Sequence, residues 1–228
     1  MAKHHLVWLA AFLVGCGQYA NPNDLGSIAP EARAEVANKR LDSAVATLQY
    51  KVEHREISDE RRNELIREVA EEMLKYVDPK VVPAKDQWMY ATLLRVTDRW
   101  PEAEEALRTA VKVAANSDRM INDSLKLALA QSKNKKVVEA LATANSVMDV
   151  PSIDVAPILP AVLYEIVPAA QGMGHDAELA ELLKKAVECH KRAKIDPRTQ
   201  EGRDFAIARR FHIRKAIEKI SELGGSSI

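Results

Sequence analysis

Two cysteines and six histidines are the side chains of this 228-residue chain with the most chemistry to offer. Cys189 and His190 stand side by side, and a thiol with its own base would carry out nucleophilic chemistry. Adjacent residues of a helix point about 100° apart, so this imidazole does not reach the thiol beside it, and Cys189 reads as a buried structural residue. His54, His175, His190 and His212 are scattered without metal-ligand spacing, and His4 and His5 fall in a leader; no H-E-x-x-H occurs. Gly172-Met173-Gly174 lacks the strand and the Lys-Ser/Thr of a phosphate loop and reads as a turn between helices. Carboxylate pairs such as Glu71-Glu72 and Glu104-Glu105 lie on polar helix faces among lysines and arginines. The expectation is therefore no catalytic constellation, no metal, no cofactor and no enzyme activity. Cys16 is left, and its meaning depends on the residues before it.

Lys3 and the chain amine precede an apolar run, Leu6 to Val14, of about nine residues, inside the ~7–15 of a secretory leader. A membrane-crossing helix needs ~20 apolar residues, and here Gly15, Gly17, Gln18 and Asn21 end the run. Leu13-Val14-Gly15-Cys16 resembles the lipobox of a bacterial lipoprotein. The resemblance implies that residues 1–15 are a signal peptide removed before Cys16, whose thiol takes a diacylglycerol and whose freed amine is often acylated too. Each buried methylene adds ~0.8 kcal/mol, and two chains hold a protein stably at a bilayer. The expected partner is thus a membrane, reached through the lipid on Cys16, in the bacterial cell envelope. Gly17-Gln18 lacks the aspartate that the family associates with inner-membrane retention, which implies the outer membrane facing the periplasm in a double-membraned cell.

Lys+Arg and Asp+Glu both number 33, so no global charge points to nucleic acid. With Cys16 acylated, Cys189 has no partner for an intrachain disulfide, and stability must come from packing. Residues 16–30 carry Asn21-Pro22-Asn23-Asp24, Gly26-Ser27 and Pro30 and read as a flexible tether. The remainder, 31–228, is long enough for one domain with a continuous core.

Within that domain apolar residues recur at helical spacing, with no alternating strand pattern, so the fold is all-α. Ala37, Leu41, Ala44, Val45, Leu48 and Val52 form one stripe, and Leu65, Ile66, Val69, Ala70, Met73, Leu74 and Val77 the next. Together they predict an antiparallel helix hairpin over 31–80, with Ser58 or Asp59 as N-cap between its arms and Asp78-Pro79 at its end. Over 86–195, Trp88, Tyr90, Ala91 and Leu94 lie on one helix and Trp100-Pro101-Glu102-Ala103 open the next. Ala91 and Ala103 take the small-residue positions. This pattern resembles a tetratricopeptide repeat, whose small residues let two helices cross closely.

Leu127-Ala128 and Ala140 repeat it after about 37 residues, against ~34 in the family, with Asn116-Ser117-Asp118 in place of a terminating proline and Pro151 near the end of the second unit. A third pair, Ile158 to Ala170 and Asp176 to His190, puts Val167 and Leu179 where alanines belong, with Pro160 and Pro168 shaping a short first helix. The resemblance implies antiparallel hairpins stacked as a short α-solenoid; a generic helical bundle is the alternative. A last helix over 200–223 carries Phe205, Ala208, Ile213, Ala216, Ile217 and Ile220 on one side and Arg203, Arg209, Arg210, Arg214, Lys215 and Lys219 on the other. It reads as a solvated cap, or as a basic face for an acidic partner or lipid headgroups.

Trp88, Tyr90 and Trp100 are the candidate partner-binding residues, since such rings supply contact area and a polar handle in peptide grooves; the alternative is that they pack the interior of this repeat, with Trp100, at a turn, the one expected to be partly exposed. Function is expected to be that of a lipid-anchored scaffold that binds a protein or peptide, in outer-membrane or surface-structure assembly. An envelope enzyme or small-ligand binder with a pocket between helices is the alternative.

Overall fold

The computed structural model describes residues 24–150, 157–193, 196 and 198–225. Cys16, the leader, the first part of the tether and Pro151 lie outside the described residues. Among the described residues every regular element is helical: α1 (Arg33–Glu53), α2 (Asp59–Leu74), α3 (Gln87–Val96), α4 (Trp100–Lys112), α5 (Ser117–Lys133), α6 (Val137–Asn145), α7 (Ile158–Ala161), α8 (Val167–Ala170), α9 (Asp176–Arg192) and α10 (Gln200–Glu222). A π turn, Val162–Ile166, runs α7 into α8. The links between successive helices fold them back on one another, and each of α3 to α5 packs against the next.

Helix starts follow the local chemistry. The Ser58 hydroxyl accepts from the Arg61 amide at 3.2 Å, the Asn116 carbonyl from Arg119 at 2.8 Å and the Thr199 hydroxyl from Gly202 at 3.0 Å, each giving an orphan N–H of a first turn its acceptor. At the other end, α2 stops at Leu74, short of Asp78-Pro79, as Lys75, Tyr76 and Val77 bond three residues back.

The helix exits repeat. Asp98 and Lys135 both hold left-handed backbone, φ 56° and 62°, and stand 37 residues apart. Their turns carry the same three bonds: Thr97 N–H to Leu93, Asp98 to Arg95 and Arg99 to Leu94 in the first, Asn134 to Ala130, Lys135 to Ser132 and Lys136 to Gln131 in the second. Each satisfies the last carbonyls of the helix it ends. Another 37 residues on, Gly172 is left-handed again at φ 79°, though its amide turns instead to the Asp176 carboxylate at 2.8 Å.

Two apolar cores result. Leu25, α1 to α4 and one side of α5 enclose the first; the rest of α5 with α6 to α10 encloses the second, and Trp100 packs against both. Ala91, Ala103 and Ala128 are fully buried, as are Val167 and Leu179 in the third pair.

Three expectations need correcting. The tether does not extend to Pro30: Leu25 is buried, and the Arg33 guanidinium donates to the carbonyls of Gly26, Ile28 and Tyr76, fixing 24–30 on the body. Val45 leaves its stripe for solvent, because the far halves of α1 and α2 have only each other to cover them. In α10 only Gly202, Ala216 and Ile220 are buried; Phe205, Ala208 and Ile213 are half-buried and Ile217 faces outward, since α9 covers a narrow strip of so long a helix.

Candidate functional site

With Ala91 and Leu94 of α3 turned into the first core, Trp88, Thr92 and Arg95 are left along one outer line of that helix. On α5, Arg119, Asp123 and Lys126 form a matching line between the buried Ile121 and Ala128. The π turn supplies a third contributor. Pro168 has no N–H for the Tyr164 carbonyl and its ring would crowd that oxygen, and the chain responds by widening, with Val167 N–H reaching back to Val162. Glu165 then stands beside α3.

These side chains meet in one cluster. The Arg119 guanidinium lies over the Trp88 ring, 3.5 Å from its centroid, and its Nε donates to Asp123 at 2.7 Å. The Lys126 ammonium is 5.9 Å from the same ring, and Arg95 reaches Glu165 at 3.4 Å. Burial, then the charges of Arg95 and Arg119, push the Lys126 pKa down, against a smaller lift from Asp123 and Glu165. Burial likewise disfavours the charge on Arg95, with Glu165 opposing it. Three cations thus share two carboxylates. Arg95 Nε, Arg119 Nη2 and Asp123 Oδ1 are buried without a hydrogen-bond partner, a condition that costs on the order of 1–3 kcal/mol for each such atom. Chemically the cluster is an aromatic plate under surplus positive charge, suited to hold a carboxylate or another oxyanion.

The three aromatic candidates part company. Trp88 is half-buried and central to the cluster. Tyr90 is 4% exposed and belongs to the first core, its edge lining a cleft of about 380 Å³ with Gln87, Glu102 and Lys80; burial raises its pKa. Trp100 is half-buried at the junction of the two cores, with the Lys133 ammonium 5.6 Å from its ring. Arg95, Arg119, Asp123, Lys126 and Glu165 were not singled out by sequence reasoning. The available signal was the Arg119, Asp123, Lys126 spacing of four and three on a helix otherwise rich in leucine and alanine.

Compared with family models, with curated proteins and with solved structures, the chain matches none. Its site must be read from its own residues.

Cys189 is buried, its thiol 3.1 Å from the Met148 carbonyl and 3.0 Å from an Arg192 nitrogen, while the His190 ring packs at 5.2 Å on Phe205. The two neighbours point apart, as their spacing on a helix requires. His212 instead pairs with the Tyr164 hydroxyl at 2.9 Å. Among the described residues no three His, Cys, Asp or Glu side chains converge as a metal site, and no helix is long and apolar enough to cross a membrane.

Proposed function

We propose that the chain is a lipid-anchored protein of the bacterial envelope, held through Cys16, whose hairpins form a tetratricopeptide-like scaffold for a partner protein. The partner's docking segment is acidic and seats across Trp88, Arg95, Arg119 and Lys126. The observation that carries the reading is that cluster: unbalanced cations and a half-buried tryptophan presented side by side by the first helices of successive hairpins. The 37-residue recurrence of the helix-exit turn supports the repeat architecture, and Leu13-Val14-Gly15-Cys16 supports the anchor. In a double-membraned cell the scaffold faces the periplasm from the outer membrane and serves assembly of that membrane or of a surface structure. It does no chemistry of its own.

Metabolic labelling with a fatty-acid probe, on wild type and Cys16→Ala, tests the anchor; unlabelled wild type removes it. Crosslinking in the envelope followed by mass spectrometry tests the scaffold, with Arg95→Glu/Lys126→Glu as the site control. Loss of captured proteins in that double variant is the expected result. An unchanged set of captured proteins removes the site.

A further inference from the structure

The side of α10 turned away from the body is not an ordinary solvated surface. Ile207 is 71% exposed, Phe211 46% and Ile217 39%; Ile207 and Phe211, four residues apart, share one outward line, while Ile217 lies about 120° round the helix from Phe211, at the other edge of the exposed arc. Arg203, Arg210 and Arg214 are interleaved with them and exposed. Arg214 sits 5.7 Å from the Phe211 ring, and its charge joins that of Lys215 in acting on Glu218. The acids on this flank are engaged locally, Asp204 by Gln200 at 2.8 Å and Glu218 by Lys215 at 2.7 Å. Exposed apolar side chains that share an arc of the helix with three arginines match a helix lying in a membrane interface rather than one anchored in a partner's cleft.

We infer that α10 lies on an anionic lipid surface, with Ile207, Phe211 and Ile217 among the acyl chains near the headgroups and Arg203, Arg210 and Arg214 on lipid phosphates. The inference rests on the proposal that the chain is held at a membrane, and it adds a second contact to the lipid on Cys16. The lipidated end enters the body beside α1, where Arg33 grips the Gly26 and Ile28 carbonyls, while α10 packs on α9 at the other end of the helix order. Two contacts so placed lay the helical array along the bilayer instead of letting it swing from one anchor. Long arginine stems suit the depth, since they reach headgroups while their methylenes stay in apolar surroundings.

The test puts a polarity-sensitive fluorophore on the full chain through Ile207→Cys, at a site exposed enough to tolerate it; Cys189 is buried and does not compete for label. The labelled chain, in a Cys16→Ala background, is titrated with phosphatidylglycerol vesicles and, separately, with phosphatidylcholine vesicles. The local probe reads α10 whatever the rest of the chain does, so its result is independent of whether Cys16 carries lipid. Expected are a blue-shifted emission and quenching by nitroxide-labelled lipid on phosphatidylglycerol. The response weakens about fivefold for each of Arg210→Gln and Arg214→Gln, and it fades as salt is raised. A fluorophore that stays in water on both vesicle types overturns the inference even where fatty-acid labelling of Cys16 succeeds. An equal response on phosphatidylcholine overturns the anionic-lipid assignment, and capture of an acidic protein at this flank without any vesicle response overturns it in favour of a protein partner.

Discussion

Glu104 is 3% exposed, yet it is not stranded: Arg108 donates to it at 2.7 Å, Lys136 at 3.0 Å and Asn134 at 2.7 Å. Burial pushes its pKa up, but the hydrogen bonds from Asn134, Lys136 and Arg108 together outweigh it and hold the carboxyl below its ordinary 4.5. A folded pKa below the unfolded one means that this contribution is fully present above about pH 4.5 and is lost as pH falls through the folded value. Glu104→Ala is expected to cost about 2 kcal/mol at neutral pH, in the ~1.5–3 range of hydrogen bonds to charged groups, by urea denaturation. Glu104→Gln should flatten the loss of stability on acidification, and an unchanged acid profile would argue against the network. Such a hub is invisible in a string of letters. Glu104-Glu105 looks like any solvated pair, and only the fold decides that the first of them faces the turn at Asn134. Trp88 was legible as a candidate because its ring type is rare here, whereas Arg95 and Lys126 resemble every other surface cation until the helices are side by side.

Among elements, the turns at Asp98 and Lys135 carry a strain that glycine would relieve. A residue with a β-carbon in left-handed backbone costs roughly 1 kcal/mol relative to glycine. Lys135→Gly, at an exposed position with φ 62°, should therefore stabilise the protein by about 1 kcal/mol in a thermal melt. Asp98→Gly should gain less, because Asp98 also pairs with Arg67 of α2. Caps work in the opposite direction: Asn116→Ala removes the acceptor for the Arg119 amide and should cost about 1 kcal/mol. Ser58 was readable as a cap because a polar residue preceded a new apolar stripe. The π turn was not, since Pro168 announces a disturbed helix without saying whether the chain will break or widen. Widening wins where Val162 and Ile166, both buried, have a core to stay in.

On the scale of the whole molecule the question is whether two cores unfold as one. Both draw on α5, and Trp100 touches each, so they should be tightly coupled in the native protein. Trp100→Ala is expected to cost about 3 kcal/mol and to broaden urea unfolding into two resolvable steps, whereas Leu183→Ala, fully buried in the second core alone, should lower stability by a similar ~2–5 kcal/mol. A single sharp transition in Trp100→Ala would show that α5 by itself holds the cores together. The all-helical character and the cap at Ser58 were legible because spacing and capping are local. The docking of Leu25 and the outward turn of Ile207 and Phe211 were not, because each depends on where a distant helix leaves room.

The recurrence at Asp98 and Lys135 also bears on how the chain's length can change. Because both exits share one backbone path and stand 37 residues apart, a deletion of residues 99–135 would join two copies of the same bend. The splice removes α4 and α5 whole and leaves no residue out of phase. A deletion between these two bends therefore keeps the backbone path, while an insertion of a few residues within a helix must rotate everything beyond it. The same bend also closes α1 at Arg55, 43 residues before Asp98, so the bend is what recurs and the length between bends can differ.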